Sequence, residues 1–411
     1  MIKQTQTKMF DFSDVGLDFC AGSKNKFPEV FKKMLATGYN PQTAASISIT
    51  GDQVTLTFGV NHGYVADRVL LVTATGGFNK EVYIDSVTSN TVTFTQAVTT
   101  GLTGTISTKV ASLGWELSYE LANIQIYKMK HIDDTFRYAR FCFQNNAAHR
   151  NSIAVCIGKT FNATTGVIDD PLALQSTASV ASPSAGSLPR WDGVIANNTD
   201  NNKTYSEGYS TYGKGMCVGS PYHLAFLACW GSSAPIDIYG IWPVTTHNYS
   251  ALDYPVIIAK MQSTATSSNG ESTYGNFYYT AGFGAAYIGN VRVTLESSNS
   301  ISNYAILATS GAKAISSVLS TAIDSFNTTT AKSFEIFEHA TSQHLGYCYG
   351  AYMCMYGNDA TAPTISRTSI PIITTDVDFQ QNVVISHSGS SNSKDRATYI
   401  AFPIEEVKLG A

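Results

Sequence analysis

His339 and His344, followed by Cys348 and Cys354, come nearest in this chain to a set of metal ligands. Imidazole nitrogen and thiolate sulfur are the usual ligands of zinc, and four together can close a tetrahedral cage. Their spacing fits no standard zinc module. Both cysteines also fall within alternating aromatics, so the four read as core thiols beside surface histidines. Adjacent acids occur at Asp133-Asp134, Asp169-Asp170 and Glu405-Glu406. Neighbours on a strand point to opposite faces, so such pairs do not by themselves make a two-carboxylate site. Asp169-Asp170-Pro171 reads as a turn, and no loop has the Asp-x-Asp-x-Asp-Gly spacing of a calcium site. Gly213-Lys214-Gly215-Met216-Cys217-Val218-Gly219 has the wrong glycine spacing for a dinucleotide and reads as a plain loop. No Gly-x-Ser-x-Gly elbow and no phosphate-cradling Lys-Ser/Thr loop occur. The expectation is a chain without catalytic residues, metal or cofactor, and not an enzyme.

One group of residues suits binding rather than catalysis. Trp191, Tyr205, Tyr209 and Tyr212 fall in polar sequence rich in Asn and Gly. Aromatic rings on such a loop can stack on sugars or meet a partner protein, because they combine an apolar face with a polar tip. This is the candidate glycan- or partner-contact loop.

These residues need a scaffold, and the stretch from Ser46 to Val110 shows its type. Apolar residues fall on every second position at Ile47 and Ile49, at Val54, Leu56, Phe58 and Val60, at Val82 and Ile84, and at Val92 and Phe94. Gly, Asn and Asp punctuate the runs at Thr50-Gly51-Asp52, Asn61-His62-Gly63, Thr75-Gly76-Gly77 and Ser89-Asn90. A period of two with turn residues between describes short antiparallel strands. Residues 46–112 are therefore expected to form a small antiparallel β sandwich or barrel. Residues 1–45 read as an arm and a short helix. Phe27-Pro28-Glu29 opens that helix, Gly38 closes it, and Phe27, Val30, Phe31, Met34 and Leu35 form its apolar face, expected to lie on the β module. Phe10, Phe12, Val15, Leu17 and Phe19 alternate ahead of it, as an extended arm able to add a strand elsewhere. Residues 113–411 keep a β pattern with long polar loops, as in a larger sandwich-like body. Phe136–Phe143 reads as a half-covered strand with its arginines on one face. Ala312–Phe326 repeats apolar residues at three and four, a second short helix.

Composition narrows the partners. Charged residues are only 14% of the 411, well below the usual share, and Ser, Thr, Asn, Gly and Tyr fill the gap. Uncharged polar surfaces suit contact between subunits, where a buried charge is costly. The net charge of −4 and the absence of a basic run argue against nucleic acid. No apolar run is long enough for a membrane helix and no signal peptide is read, so membrane insertion is not expected. Seven cysteines, an odd number and widely spread, read as reduced buried thiols.

Three stretches resemble a β module of tailed-bacteriophage virion structural proteins, associated with the tail or baseplate. They are Gly51-Asp52-Gln53-Val54-Thr55-Leu56-Thr57-Phe58, Asp85 to Phe94, and a tail from Gly104 to Gly114-Trp115-Glu116. Asn61-His62-Gly63-Tyr64 is similar to the turn of that module but more polar. His131-Ile132-Asp133-Asp134 and Tyr222-His223-Leu224-Ala225-Phe226 resemble segments that follow it. The likeness covers about residues 25–145 and is faint beyond. It implies a structural virion part assembled in the bacterial cytoplasm, a multimeric sheath, collar or baseplate-ring subunit. Its partners would be copies of itself and other phage tail proteins. The alternative is a tail-tip protein that binds a host cell-surface glycan. No active-site residue is carried over.

Overall fold

A computed structural model of the protein describes residues 4–18, 26–121, 123–143, 152–174, 190–192, 206, 215–229, 236–263, 277–278, 286–295, 329–356, 371–373, 382–389 and 397–404. Among the described residues nearly all regular structure is strand, with one short α-helix, the mainly β architecture expected. The second helix, expected over 312–326, lies outside the described residues.

The arm contributes β1 (Lys8–Asp11), then α1 (Phe27–Lys32), which runs into a wider turn at Lys33–Thr37 and stops at Gly38. Gly38 sits at φ 72°, and a Cβ there would lie 2.3 Å from the Val110 carbonyl oxygen, so the stop requires glycine. The module follows as β2 (Tyr39–Thr43), β3 (Ser46–Thr50), β4 (Gln53–Thr57), β5 (Val69–Ala74), β6 (Asn79–Tyr83), β7 (Ser86–Val87), β8 (Thr91–Thr95) and β9 (Ile106–Val110). They form two four-stranded antiparallel sheets, β2-β9-β5-β6 and β3-β4-β8-β7. The period-two residues Val54, Leu56, Val92 and Phe94 of one sheet and Leu70, Val72, Val82 and Ile106 of the other are all buried in one cluster. The module is thus a sandwich, closed on Val54, Leu56, Val82, Val92 and Phe94 of the alternating runs and on Leu70, Val72 and Ile106 outside them, while Ile49 and Val60 of those runs are exposed.

The body begins with β10 (Glu116–Leu121), β11 (Ile124–Lys130), β12 (Phe136–Phe143) and β13 (Ser152–Gly158). A small hairpin of β14 (Phe161–Asn162) and β15 (Val167–Ile168) follows, then β16 (Arg190–Asp192). Strands β10-β11-β12-β13-β16 make a five-stranded sheet. The rest builds one large sheet: β17 (Gly215–Ser220), β18 (His223–Cys229), β19 (Ile236–Trp242), β20 (Val244–Thr246), β21 (Val256–Ser263), β22 (Phe277–Tyr278), β23 (Ala286–Ile288), β24 (Val291–Leu295), β25 (Thr329–Glu338), β26 (His344–Tyr356), β27 (Ile372–Ile373), β28 (Asn382–Gly389) and β29 (Ala397–Pro403). With β1 it has 14 strands and curls into a half-barrel. The stretch expected as a plain loop around Gly213 to Gly219 is a strand from Gly215 onward, buried throughout.

The strands nearest β1 are covered on both faces. Leu224 and Phe226 point into the cluster shared with the five-stranded sheet, whereas Ala225 and Leu227 point into the hollow of the half-barrel. A near-continuous apolar run such as His223–Cys229 is what two-sided burial demands.

The helix lies elsewhere than expected. Phe31 packs on Phe141, Phe143, Trp191 and Phe226, with ring centroids 5.5 to 6.3 Å apart, so α1 plugs the space between the two body sheets. Its C-terminal carbonyls at Met34 and Leu35 accept the amides of Leu113 and Trp115, at 2.9 and 3.0 Å. The arm adds a strand over Lys8–Asp11 only, β1 lying antiparallel along β17; of the alternating residues only Phe10 falls in it, and the chain turns from Phe12 onward. One buried cluster runs through arm, helix, module and body.

Candidate functional site

The richest group of titratable side chains lies where four connections of the body meet. His131 and Asp133 come from the turn between β11 and β12, which Asp134 reverses at φ 64° and His131 closes by donating its amide to the Thr135 carbonyl at 2.9 Å. Arg137 starts β12, Lys159 follows β13, and Asp170 follows β15. Asp253 and Tyr254 precede β21. His131, Asp133 and Asp253 each turn a ligand atom to a common point, with those atoms within 4.8 Å of one another.

That geometry would suit a divalent cation if the point were free. It is occupied by the protein's own cation. Arg137 donates through Nη2 to Asp253 Oδ1 at 2.7 Å and to Asp133 Oδ2 at 3.4 Å. Lys159 Nζ sits 2.7 Å from Asp253 Oδ2, and His131 Nε2 lies 3.2 Å from Oδ1. A metal here would face a guanidinium and an ammonium at bonding distance from its own ligand. The group is a salt-bridged joint. Asp170 completes it by accepting the Tyr254 hydroxyl at 2.7 Å, the Lys159 amide at 2.8 Å and the Leu172 amide at 3.0 Å.

The electrostatics follow. Burial works to raise Asp253 and Asp170. For Asp253 the hydrogen bond from Lys159 and the charge of Arg137 win, and for Asp170 the bonds from Tyr254 and two amides win, so both titrate below the usual carboxylate range. Burial, then the nearby Arg137 charge, holds His131 below the ordinary imidazole value despite its two acidic neighbours. Asp170 was legible only as a turn residue. Asp253 carried no signal, since its partners are more than ninety residues away in sequence.

A second group superficially resembles a nucleophile and its base. Ser220 Oγ lies 2.7 Å from His223 Nδ1 across the two-residue turn joining β17 and β18. The Tyr222 amide donates to the same oxygen at 3.1 Å. No acid orients the ring, His223 Nε2 is without a partner among the described residues, and both side chains are wholly buried. Burial drives His223 down to about 3, which keeps it neutral. The pair locks a turn, and the Ser220 carbonyl beside it accepts the Trp115 indole N–H at 2.9 Å. Trp115 of the Gly-Trp-Glu motif thereby ties the end of the module to the body.

Two further polar knots are architectural in the same sense. Arg68 grips Asp14 through Nε and Nη2 at 2.8 and 2.9 Å while the Tyr39 hydroxyl donates to Asp14 Oδ2 at 2.7 Å, binding the arm to the module. At the polar turn, His62 Nδ1 accepts the Tyr64 amide at 2.9 Å and Tyr64 donates its hydroxyl to the Asn40 carbonyl at 2.9 Å.

Arg140 departs from expectation most clearly. Arg137 and Arg140 differ by an odd number, so they lie on opposite faces of β12, and both are buried. The strand expected to be half-covered is covered twice. Arg140 gives its Nε hydrogen to the Gly166 carbonyl at 2.5 Å beneath the β14–β15 hairpin, and its guanidinium also lies beside the Cys142 thiol.

The sequence-derived candidates fare differently. Trp191, placed on an exposed contact loop by sequence, is 1% exposed and stacks on Phe226 at 6.1 Å with planes 5° apart. It belongs to the aromatic plug, because β16 pairs with β13 and turns the indole inward. Tyr205, Tyr209 and Tyr212 lie outside the described residues. His339, His344, Cys348 and Cys354 do not form a ligand group among the described residues. His344 packs edge-on to Phe337 and Tyr347, and both cysteines are buried in β26. The five cysteines whose side chains are described, Cys142, Cys156, Cys217, Cys348 and Cys354, are buried and form no disulfide among the described residues. A shallow depression on the outer face of β2, β9 and β5 is floored by Leu71, Thr73 and Ser107. Its Lys109 ammonium is already bound to the Thr37 carbonyl at 2.7 Å.

Among the described residues, no helix is long and apolar enough to cross a membrane. Comparisons with models of protein families, with curated proteins and with solved structures return no match.

Proposed function

We propose that this chain is a non-enzymatic structural subunit of a tailed-phage virion, working in the tail as a sheath, collar or baseplate-ring protein built by repeated contacts between copies. The observation that carries the reading is the use made of its polar and motif residues. Arg68, Arg137, Ser220, His223 and Trp115 each tie one element to another, and none presents an activated group to an open cleft. The stretches that resemble the phage module do the same work. Gly51 opens a two-residue hairpin at φ 59°, the run from Val54 to Phe58 lines the sandwich, and Trp115 anchors its end. Low charge content suits faces that meet other subunits, and point-group symmetry lets one contact repeat around an axis.

The test is to purify the full chain and measure its assembly by light scattering and negative-stain imaging, and to search purified particles for it by mass spectrometry. Closed multimers and presence in particles support the proposal. A monomer that never enters particles overturns it. The host-glycan alternative now rests on Tyr205, Tyr209 and Tyr212, since Trp191 is an internal residue.

A further inference from the structure

The module sandwich has four sheet edges, and three of them are blunted. The β2 edge carries Pro41 and a register shift between Tyr39 and Gln42. The β6 edge carries Lys80 and Glu81, the latter paired at 3.0 Å with Lys8 of the arm. The β7 edge is two residues long. Proline, bulges, charge and brevity are the usual devices that stop a strand from recruiting a neighbour. The fourth edge, β3, has none of them. Its sequence is Ser46-Ile47-Ser48-Ile49-Thr50, among the described residues it pairs only with β4, and four of its five residues are exposed.

We propose that β3 is an assembly edge, and that its occupant is β3 of a second copy running antiparallel about a two-fold axis at Ser48. The identity of the occupant rests on the multi-copy reading above. The strand is its own complement. Centred on Ser48, antiparallel pairing sets Ile47 opposite Ile49 on one face and Ser46 opposite Thr50 across the same ladder, with no charge on either side. The main-chain groups point the right way. Thr50 and Gln53 close a two-residue hairpin, so Thr50, Ser48 and Ser46 bond inward to β4, and alternation turns the amides and carbonyls of Ile47 and Ile49 outward. The apolar face is also unfinished. Ile47 and Ile49 lie on the side of Leu56 and Val54, Ile47 only partly covered by the core and Ile49 44% exposed. Two copies joined here would extend one module sheet into the next and continue its apolar strip. Such a contact is isologous and closes in pairs, so a ring would need a second, head-to-tail contact elsewhere.

The full chain carrying Ser48→Cys tests this directly. Residues opposed at a non-hydrogen-bonded antiparallel position have Cα atoms about 4.5 Å apart, within disulfide range. Mild oxidation should link most Ser48→Cys chains into covalent dimers, whereas Lys80→Cys on the blunted β6 edge and the unmodified chain should not link. Ile49→Lys, checked for folding by its melting curve, should lose the two-fold contact and halve the assembled mass seen by light scattering. If the unmodified chain is multimeric but Ser48→Cys stays unlinked, the edge proposal fails and the multimeric reading stands. If the chain is monomeric at every concentration and Ser48→Cys does not link, both fail. Linking of Ser48→Cys and Lys80→Cys to the same extent would show random collision and also overturn the proposal.

Discussion

Arg137 holds two carboxylates, Asp133 of its own turn and Asp253 of the connection before β21, so its loss takes a partner from both. Replacing it with Met leaves Asp133 and Asp253 facing each other. Loss of one partner of a fully buried pair costs about 3–5 kcal/mol, but the two acids are 41% and 39% exposed and Lys159 still pairs Asp253, so the expectation falls to about 1–2 kcal/mol by urea unfolding. Because the guanidinium already fills the position between the acids, millimolar Mg2+, Mn2+ or Zn2+ should leave the melting temperature of the unmodified chain unchanged. A rise of several degrees would show that a metal displaces Arg137. His223 predicts an acid-sensitive step. Its folded value is about 3 and its unfolded value 6.5, so the unfolded chain takes the proton first as pH falls. Stability from this group is complete above pH 6.5 and declines towards pH 3, by roughly 2 kcal/mol at pH 5 at about 1.4 kcal/mol per pH unit. Asp170 and Asp253 add a lower range, since their depressed values make stability fall only as pH drops through the bottom of the carboxylate range. His223→Gln should flatten the profile between pH 6.5 and 4, and an unchanged slope would place the sensitivity elsewhere.

At the scale of elements, the short helix and β16 form the plug on which both body sheets close. Phe31→Ala empties a site lined by four aromatic rings and should cost about 3–5 kcal/mol. Trp191→Ala should cost a similar amount, and the fluorescence lost with it should be the blue-shifted, quencher-protected part of the spectrum. If Trp191→Ala instead unfolds like the parent chain and changes only glycan retention, the internal placement is wrong. These elements also show what the sequence made legible. Period-two runs gave the module strands, and the helix stop at Gly38 was visible, because both depend on neighbours along the chain. The destination of the helix face was not visible, since Phe27 and Phe31 look the same against module or body. Parity alone separates Arg137 from Arg140, and a reading of β12 by composition put both on one face. Trp191 was misread because polar sequence surrounds it, whereas three-residue pairing with β13 decides where it points. The Arg137–Asp253 joint depends on a contact across 116 residues, which no local pattern encodes.

For the whole molecule, the same accounting assigns the strongest polar interactions to holding arm, module and body together. Few of its residues are charged, and one edge of the module sandwich is left unguarded. That is the anatomy of a part whose work is its shape. The most direct measurement is the mass of the purified full chain by size-exclusion chromatography with light scattering across a hundredfold range of concentration. The expected result is a discrete multiple of the 44.2 kDa chain that persists on dilution. A single 44.2 kDa species at every concentration would contradict the account.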